Sequence, residues 1–258
     1  MQMTNNIKLS IVVPCHNNWR YTKSCLEDLS NLPDDHEVVL IDDGSTDLTE
    51  VISKGNMLDV KSHKNTIVAR FVTPHGFAQA CNMGFAKSFG DYVMFLNNDI
   101  KVLKDKETWT QPILEVAQDG ALVGPTVGVL DQNLKFLCEA TKLASKGFNY
   151  MSGWNVTAKK ETWRKLQETA LGGEVVPGSR TDALGPFSCE FGRAYFEDTD
   201  MGLRALQQGI PMVVVPNVPV RHFGKMTTKK IGVSKHYAAA REVFLEKWQG
   251  KAQGLLGT

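Results

Sequence analysis

Residues 91–100 read DYVMFLNNDI. An almost unbroken apolar run stops on two amides and a carboxylate, Asn97, Asn98 and Asp99. Its length and abrupt polar end suit a buried strand that delivers polar groups at its carboxyl edge. Three earlier segments have the same character. KLSIVVP (8–14) is a β-branched run stopped by Pro14, EVVLIDD (37–43) ends on paired acids, and NTIVARFVTP (65–74) ends at a proline. Between them, Tyr21, Cys25, Leu26, Leu29 and Leu32 fall at helical spacing within 18–32, as do Phe77, Ala80, Cys81, Gly84 and Phe85. Asp47 with Glu50 predicts a capping box opening a short helix. Strands alternating with helices and without hairpin signals predict a mainly parallel sheet covered by helices.

The second half is less regular. ALVGPTVGVL (121–130) is strand-like but broken by Gly and Pro, and TAKKETWRKLQE (157–168) reads as a polar helix. Residues 170–188 are rich in Gly and Pro and read as a loop. FEDTDMGLRALQQG reads as a helix opening on acids and stopping at Gly209, PMVVVP as a short strand, and 234–248 as a closing helix.

At 258 residues one α/β domain is expected, and 42% hydrophobic residues suffice for its core. A net charge of +1 gives no global attraction to nucleic acid or anionic membranes. The start, MQMTNNIKLS, lacks the apolar run of a signal peptide, and no segment reaches membrane-spanning length. Five scattered cysteines without a CxxC pair fit a reducing compartment, so a cytoplasmic protein is expected.

In an open parallel sheet, ligands bind beyond the carboxyl ends of the strands. Three ends here carry polar groups: PCHNN (14–18), DDGSTD (42–47) and NND (97–99). Neither G-x-G-x-x-G nor a P-loop is present, which removes the dinucleotide and P-loop readings. A carboxylate beside amides at a strand end suits a hard cation shared with a diphosphate; NND is also an ordinary turn sequence.

Taken together, SIVVPCHNN, VVLIDDGSTD, HGFAQACNMGFAKSFGDYVMFLNNDI and GPFSCEFGRAYFEDTDMGLRALQQG resemble glycosyltransferase family 2 in kind and in order, over most of residues 8–225. The resemblance implies a GT-A fold and an inverting transfer of sugar from a nucleoside-diphosphate sugar, a UDP-sugar first, to a hydroxyl acceptor. It divides a single domain into a nucleotide-sugar half (1–100), an acceptor and catalytic half (101–220), and a lid with a closing helix (221–258). It sets Asn97, Asn98 and Asp99 at the family's D-x-D position, with Asp99 meeting Mg2+ or Mn2+ and Asn97 in place of the usual first aspartate. Pro14, His16 and either Asp42 or Asp43 would meet the nucleotide; the alternative for both acids is to cap the GSTD turn. His75 either faces the nucleotide or lies at the surface, and Asn82 and Gly84 pack their helix on the sheet, with a place near the nucleotide as the alternative for Asn82.

Glu197, Asp198 and Asp200 crowd the first turn of a helix, more acid than a helix dipole calls for. By the resemblance Asp198 is the general base and Glu197 holds an acceptor hydroxyl, while Asp200 pairs with Arg204. His222 is implied as a second metal ligand, against the commoner fate of a loop histidine. Trp154 either begins the acceptor surface or packs in the core. Lys225, in the basic stretch 221–235, contacts the diphosphate from a lid, or this stretch grips an anionic acceptor such as DNA. The acceptor is a glycan, a protein side chain or a hydroxylated nucleic-acid base, and near-neutral charge argues against the last. Two rivals remain. A sugar-phosphate nucleotidyltransferase would need a glycine-rich basic loop, and PCHNNW has no glycine. A non-catalytic binding module would have lost the acids at 197–200.

Overall fold

The structure, a computed structural model, describes residues 7–49, 60–170, 185–224 and 233–255. Glu50, most of the expected 170–188 loop and Lys225, Lys229 and Lys230 of the expected lid lie outside the described residues.

Strand β1 (Leu9–Cys15) is buried along its length and lies between β2 (His36–Asp43) and β4 (Tyr92–Leu96), parallel to both. Strand β3 (Thr66–Phe71) extends the parallel run beyond β2. Alternate residues of β1 serve opposite layers. Leu9, Ile11 and Val13 pack with Cys25, Leu26 and Leu29 of α1 (Trp19–Leu29), and with Ile113 and Leu114 of α3 (Gln111–Ala117). Val12 faces the other layer, where α2 (Phe77–Lys87) contributes Ala80, Cys81 and Phe85. Gly84 of α2 lies so close to β1 that a Cβ there would stand 2.2 Å from Val12 Cγ1.

The second half departs from expectation. Residues 157–159 belong to a strand, β10 (Asn155–Lys159), and the helix α4 (Lys160–Ala170) starts only after it. Helix propensity loses here because Val156 and Ala158 are completely buried and the strand pairs antiparallel with β4, Asn155 opposite Leu96. The segment 121–130 is two strands, β6 (Leu122–Gly124) and β7 (Val127–Leu130), which belong to different sheets. With β11 (Met212–Val214) the central sheet runs β11-β6-β10-β4-β1-β2-β3, antiparallel only on the two sides of β10.

Two features carried no hairpin signal in the sequence. Strand β7 is flanked by β8 (Phe136–Ala140) and β9 (Phe148–Met151) in an antiparallel sheet, and β5 (Ile100–Val102) pairs antiparallel with β12 (Val220–His222). Helix α5 (Glu197–Gln207) follows the expected acidic start, and α6 (Val233–Trp248) closes a third apolar cluster through Phe244 and Trp248. No helix among the described residues is long and apolar enough to cross a membrane.

The tight approach of α2 to β1 is testable. Gly84→Ala overpacks a stiff β-branched neighbour, costing about 1–3 kcal/mol. In a chain this size the melting temperature falls roughly 2–4 °C per kcal/mol. Adding Val12→Ala makes room, so the double variant is expected to lose less stability than the two single losses added. Strict additivity in denaturant titrations would show that the two residues do not touch.

Candidate active site

The turns after β1 and β2 are locked together. Asn17 and Asn18 both adopt left-handed backbone (φ 54 and 60), which asparagine tolerates better than most residues. This turns the Asn17 side chain onto the GSTD turn, where its Oδ1 accepts from the backbone N–H of Thr46 (2.8 Å) and Asp47 (3.2 Å). His16 Nδ1 lies 2.6 Å from the carbonyl oxygen of Asp43. The Asp42 side chain is completely buried; its oxygens take the backbone N–H of Ser45 and the guanidinium of Arg70. Asp43, 7% exposed, accepts from the backbone N–H groups of His75 (2.6 Å) and Gly76 (2.9 Å), tying β2 to the start of α2. Asp47 accepts from the first N–H groups of α1 and of its own turn, at Trp19 and Thr49. His75 stacks on Phe71 at the rim, and Pro14 is buried within β1. Asn82 acts at a distance from these turns: it brackets the backbone of Phe187, donating to its carbonyl (2.8 Å) and accepting from its N–H (3.0 Å).

The end of β4 is built on the turn 152–154. The backbone N–H of Asn97 donates to the Trp154 carbonyl at 2.8 Å. The Trp154 ring stacks on His222, centroids 4.9 Å apart and planes 10° from parallel. His222 Nε2 lies 3.0 Å from Asp99 Oδ1 and 3.3 Å from Asn97 Nδ2. Asn98 turns inward and donates to the Thr22 hydroxyl at 2.9 Å, so it braces α1. Trp154 is 8% exposed and belongs to the core, with its edge at this site.

The Asp99–His222 pair fits a divalent cation. Cis ligands about 2.1 Å from an octahedral ion lie about 3.0 Å from one another. That is the separation of Asp99 Oδ1 and His222 Nε2, and Asn97 Nδ2 lies 3.3 Å from the same nitrogen. Among the described residues no cluster of three or more His, Cys, Asp or Glu is gathered for a metal, so waters and a bound diphosphate would complete the shell.

The acids of α5 occupy three environments. The helix is entered through two consecutive non-glycine residues at positive φ, Tyr195 (85) and Phe196 (69). Such strained backbone persists only where surrounding structure demands it. Asp198 Oδ2 accepts from the Gly153 N–H at 3.1 Å, and Oδ1 from the Thr199 N–H at 2.8 Å and the Thr199 hydroxyl at 3.3 Å. Burial raises the Asp198 pKa, and these hydrogen bonds oppose that rise. Glu197 is pushed up to about 8 by burial and then by the Asp198 charge. It lies on the α2 side, close enough that its charge helps hold the Cys81 thiol up, second to burial. Asp200 is fully engaged. Trp248 Nε1 (2.8 Å) and Lys247 Nζ (2.8 Å) meet one oxygen, the Ser188 hydroxyl (2.9 Å) and Arg204 Nε (2.7 Å) the other. Burial alone would raise Asp200; the Arg204 and Lys247 charges outweigh it and hold the carboxyl low. The expected Asp200–Arg204 pair is therefore present.

The turn thus joins the strand end and the acid helix. The sequence reading did not single out Gly153, whose missing side chain is what admits Asp198: a Cβ would stand 3.0 Å from Asp198 Cβ. The glycine before Trp154 in YMSGWN is the signal that could have found it. Tyr150, Thr126 and Glu139 were also missed, and their positions on unrecognised strands and turns left no pattern to read. Tyr150 lies beside Asp198, whose charge, after burial, keeps the phenol protonated.

Similarity to known proteins follows the same lines. The family model for Glycosyl transferase family 2 matches residues 10–166, more than half of the chain. A glycosyltransferase of Haemophilus influenzae described as uncharacterized is 38% identical over 102 residues, 38% of each chain. Glycosyltransferase GlyG of Streptococcus pneumoniae serotype 4 is 32% identical over 113 residues, 43% of this chain and 36% of that one. The matched stretch thus spans little more than a third of either relative. Among solved structures, GalNAc-T7 with UDP, GalNAc and Mn2+ superposes with a TM-score of 0.58 at 17% identity, over 85% of this chain and 44% of its own. The mannosyltransferase PcManGT of Pyrobaculum calidifontis, with GDP-Man and Mn2+, gives 0.54 at 16% identity, over 82% of this chain and 55% of its own. These distant likenesses carry the fold, which is of GT-A type. Glu197 and Asp198 lie beyond the residues matched by the family model, whereas the turns of β1, β2 and β4 lie within them. The chain belongs to Glycosyl transferase family 2, a family of transferase enzymes.

Proposed function

We propose that the protein is an inverting glycosyltransferase that moves a sugar from a nucleoside-diphosphate sugar to a hydroxyl acceptor, with a UDP-sugar as the first donor to test. One observation carries this reading: the turn 152–154 holds the Asn97–Asp99 strand end and Asp198 on either side of itself, through Trp154 and Gly153. Asp43 and His16, with Pro14 behind them and His75 at the rim, form the nucleotide side; Asp43 serves there rather than Asp42, whose side chain has no exposed surface. Asp99 and His222 would hold Mg2+ or Mn2+, which supplies positive charge against the departing diphosphate. The Mn2+ bound in the GalNAc-T7 and PcManGT structures supports the choice of metal.

Asp198 is the general base. Its Oδ2 accepts a single backbone N–H and keeps a lone pair, so the carboxylate is oriented and still able to take a proton. The acceptor hydroxyl loses its proton to Asp198 as its oxygen bonds to the anomeric carbon, while the diphosphate leaves from the opposite face. Glu197, neutral below about pH 8, meets an acceptor hydroxyl as an O–H donor rather than as a second base. The acceptor class is a glycan, a protein hydroxyl or a hydroxylated base.

Calorimetry with UDP, and with GDP and dTDP beside it, tests the donor site. Affinity is expected to be much higher with MnCl2 than with chelator, and Asp99→Ala is expected to remove the difference. Equal wild-type affinity in both conditions would take Asp99 out of the metal role.

Asp198→Asn keeps the shape and loses the proton acceptor. With the best donor–acceptor pair from a screen of nucleotide sugars, turnover should fall by about two to four orders of magnitude. UDP affinity should hold; near-normal turnover would move the base elsewhere.

Glu197 also predicts a pH dependence. Its folded pKa, about 8, lies above the ordinary glutamate value, so the folded state holds a proton that the unfolded state releases. Stability from this group is full at acid pH and declines as pH rises toward 8. Glu197→Gln should therefore gain stability on wild type between pH 6 and pH 9 in denaturant titrations. A constant difference across that range would mean that Glu197 ionises normally.

A further inference from the structure

Strand β8 is exposed along nearly all of its length, yet one of its side chains reaches a buried ring. Glu139 Oε1 accepts from the Thr126 hydroxyl at 2.6 Å and from the Trp154 indole N–H at 3.0 Å, and the same N–H lies 2.9 Å from Thr126 Oγ1. Three groups from separate segments close a triangle on one indole hydrogen. Gly128 lies opposite Glu139 on one side and Tyr150 on the other. Its lack of a side chain lets the Tyr150 ring lie across β7, since a Cβ there would meet the ring at 2.1 Å. The hydrogen bond from Trp154 to Glu139 joins β8 to the turn that carries the indole.

The indole so held is the one whose face stacks on His222. The His222 backbone is fixed by pairing with Ile100, which leaves ring orientation as its remaining freedom. A ring stacked 10° from parallel has its plane set by its partner, and here that plane aims Nε2 at Asp99. We propose that Glu139 is a positioning residue: it holds the Trp154 indole in the plane that keeps the His222 imidazole directed at Asp99. Its consequence for nucleotide binding rests on the reading of Asp99 and His222 as the metal-holding pair, whereas the orientation of the ring does not.

The test compares Glu139→Ala, Glu139→Gln and Trp154→Phe in the full chain. Long-range 1H–15N spectra report the imidazole signals, with the His222 signals identified by their loss in His222→Ala, and calorimetry measures UDP affinity with MnCl2 and with chelator. Glu139→Ala and Trp154→Phe are expected to shift the His222 ring signals. They should also cut the Mn2+-dependent gain in UDP affinity by roughly tenfold to a hundredfold, as loss of a partner behind a metal ligand does. UDP affinity in chelator should not change. Glu139→Gln should retain both properties, because its amide oxygen accepts the same two hydrogen bonds. Unmoved His222 signals in folded Glu139→Ala would overturn the proposal, as would an equal loss of UDP affinity with and without Mn2+. A wild-type protein with no Mn2+-dependent gain would refute the metal reading, and the ring signals would still decide the positioning role.

Discussion

The antiparallel ladder between β10 and β4 is the constraint on which the site depends. Four strands of the central sheet run parallel, and their carboxyl ends would present turns on one edge with nothing opposite them. By running the other way, β10 begins where β4 ends, Asn155 opposite Leu96. The turn that feeds β10 therefore lies against Asn97. From there the Trp154 ring meets His222 and the Gly153 N–H meets Asp198. A parallel strand in that slot would begin at the far edge of the sheet and leave the strand end and the acid helix without a common support.

Helix α5 divides its acids by environment. Asp200 receives four donors from three segments and is held ionised, so it fixes α5 to α6 and to the Ser188 segment. Asp198 meets uncharged donors, two backbone N–H groups and the Thr199 hydroxyl, which orient it without neutralising it. Glu197 has no cation beside it among the described residues to offset burial, and its proton is held to about pH 8. Carboxyl groups within one turn thus become an ion-paired anchor, an oriented carboxylate and a neutral acid. Which becomes which is decided by the donors each meets. The strained approach through Tyr195 and Phe196 is tolerated because Asp200 secures the next turn of the helix.

At the end of β4, Asn97 stands where a second carboxylate would be expected. Its backbone N–H binds the Trp154 carbonyl, and its amide nitrogen lies 3.3 Å from His222 Nε2. With one carboxylate and one imidazole, the site carries less negative charge than a pair of aspartates would. A neutral amide at position 97 avoids placing a second carboxylate charge beside Asp99.

By itself the sequence determined the parallel half of the protein, its strand-end chemistry and the acidic start of α5. Those features are local: β-branched runs, helical spacing and polar strand ends are written within ten or so residues of one another. The Asp200–Arg204 pair was legible for the same reason, since one helical turn sets its spacing. Only the tertiary structure decided that 157–159 is a strand, because burial of Val156 and Ala158 against residues some sixty positions earlier outweighed the helical character of the segment after them. It also decided that Asp42 is sealed inside while Asp43 keeps an exposed edge, since adjacent strand residues face opposite sides and nothing in the letters says which side is covered. The link from Glu139 through Trp154 to His222 joins residues far apart in the chain. Contacts between such distant residues leave no local period in a sequence, and they arise only once the sheet has set the segments side by side.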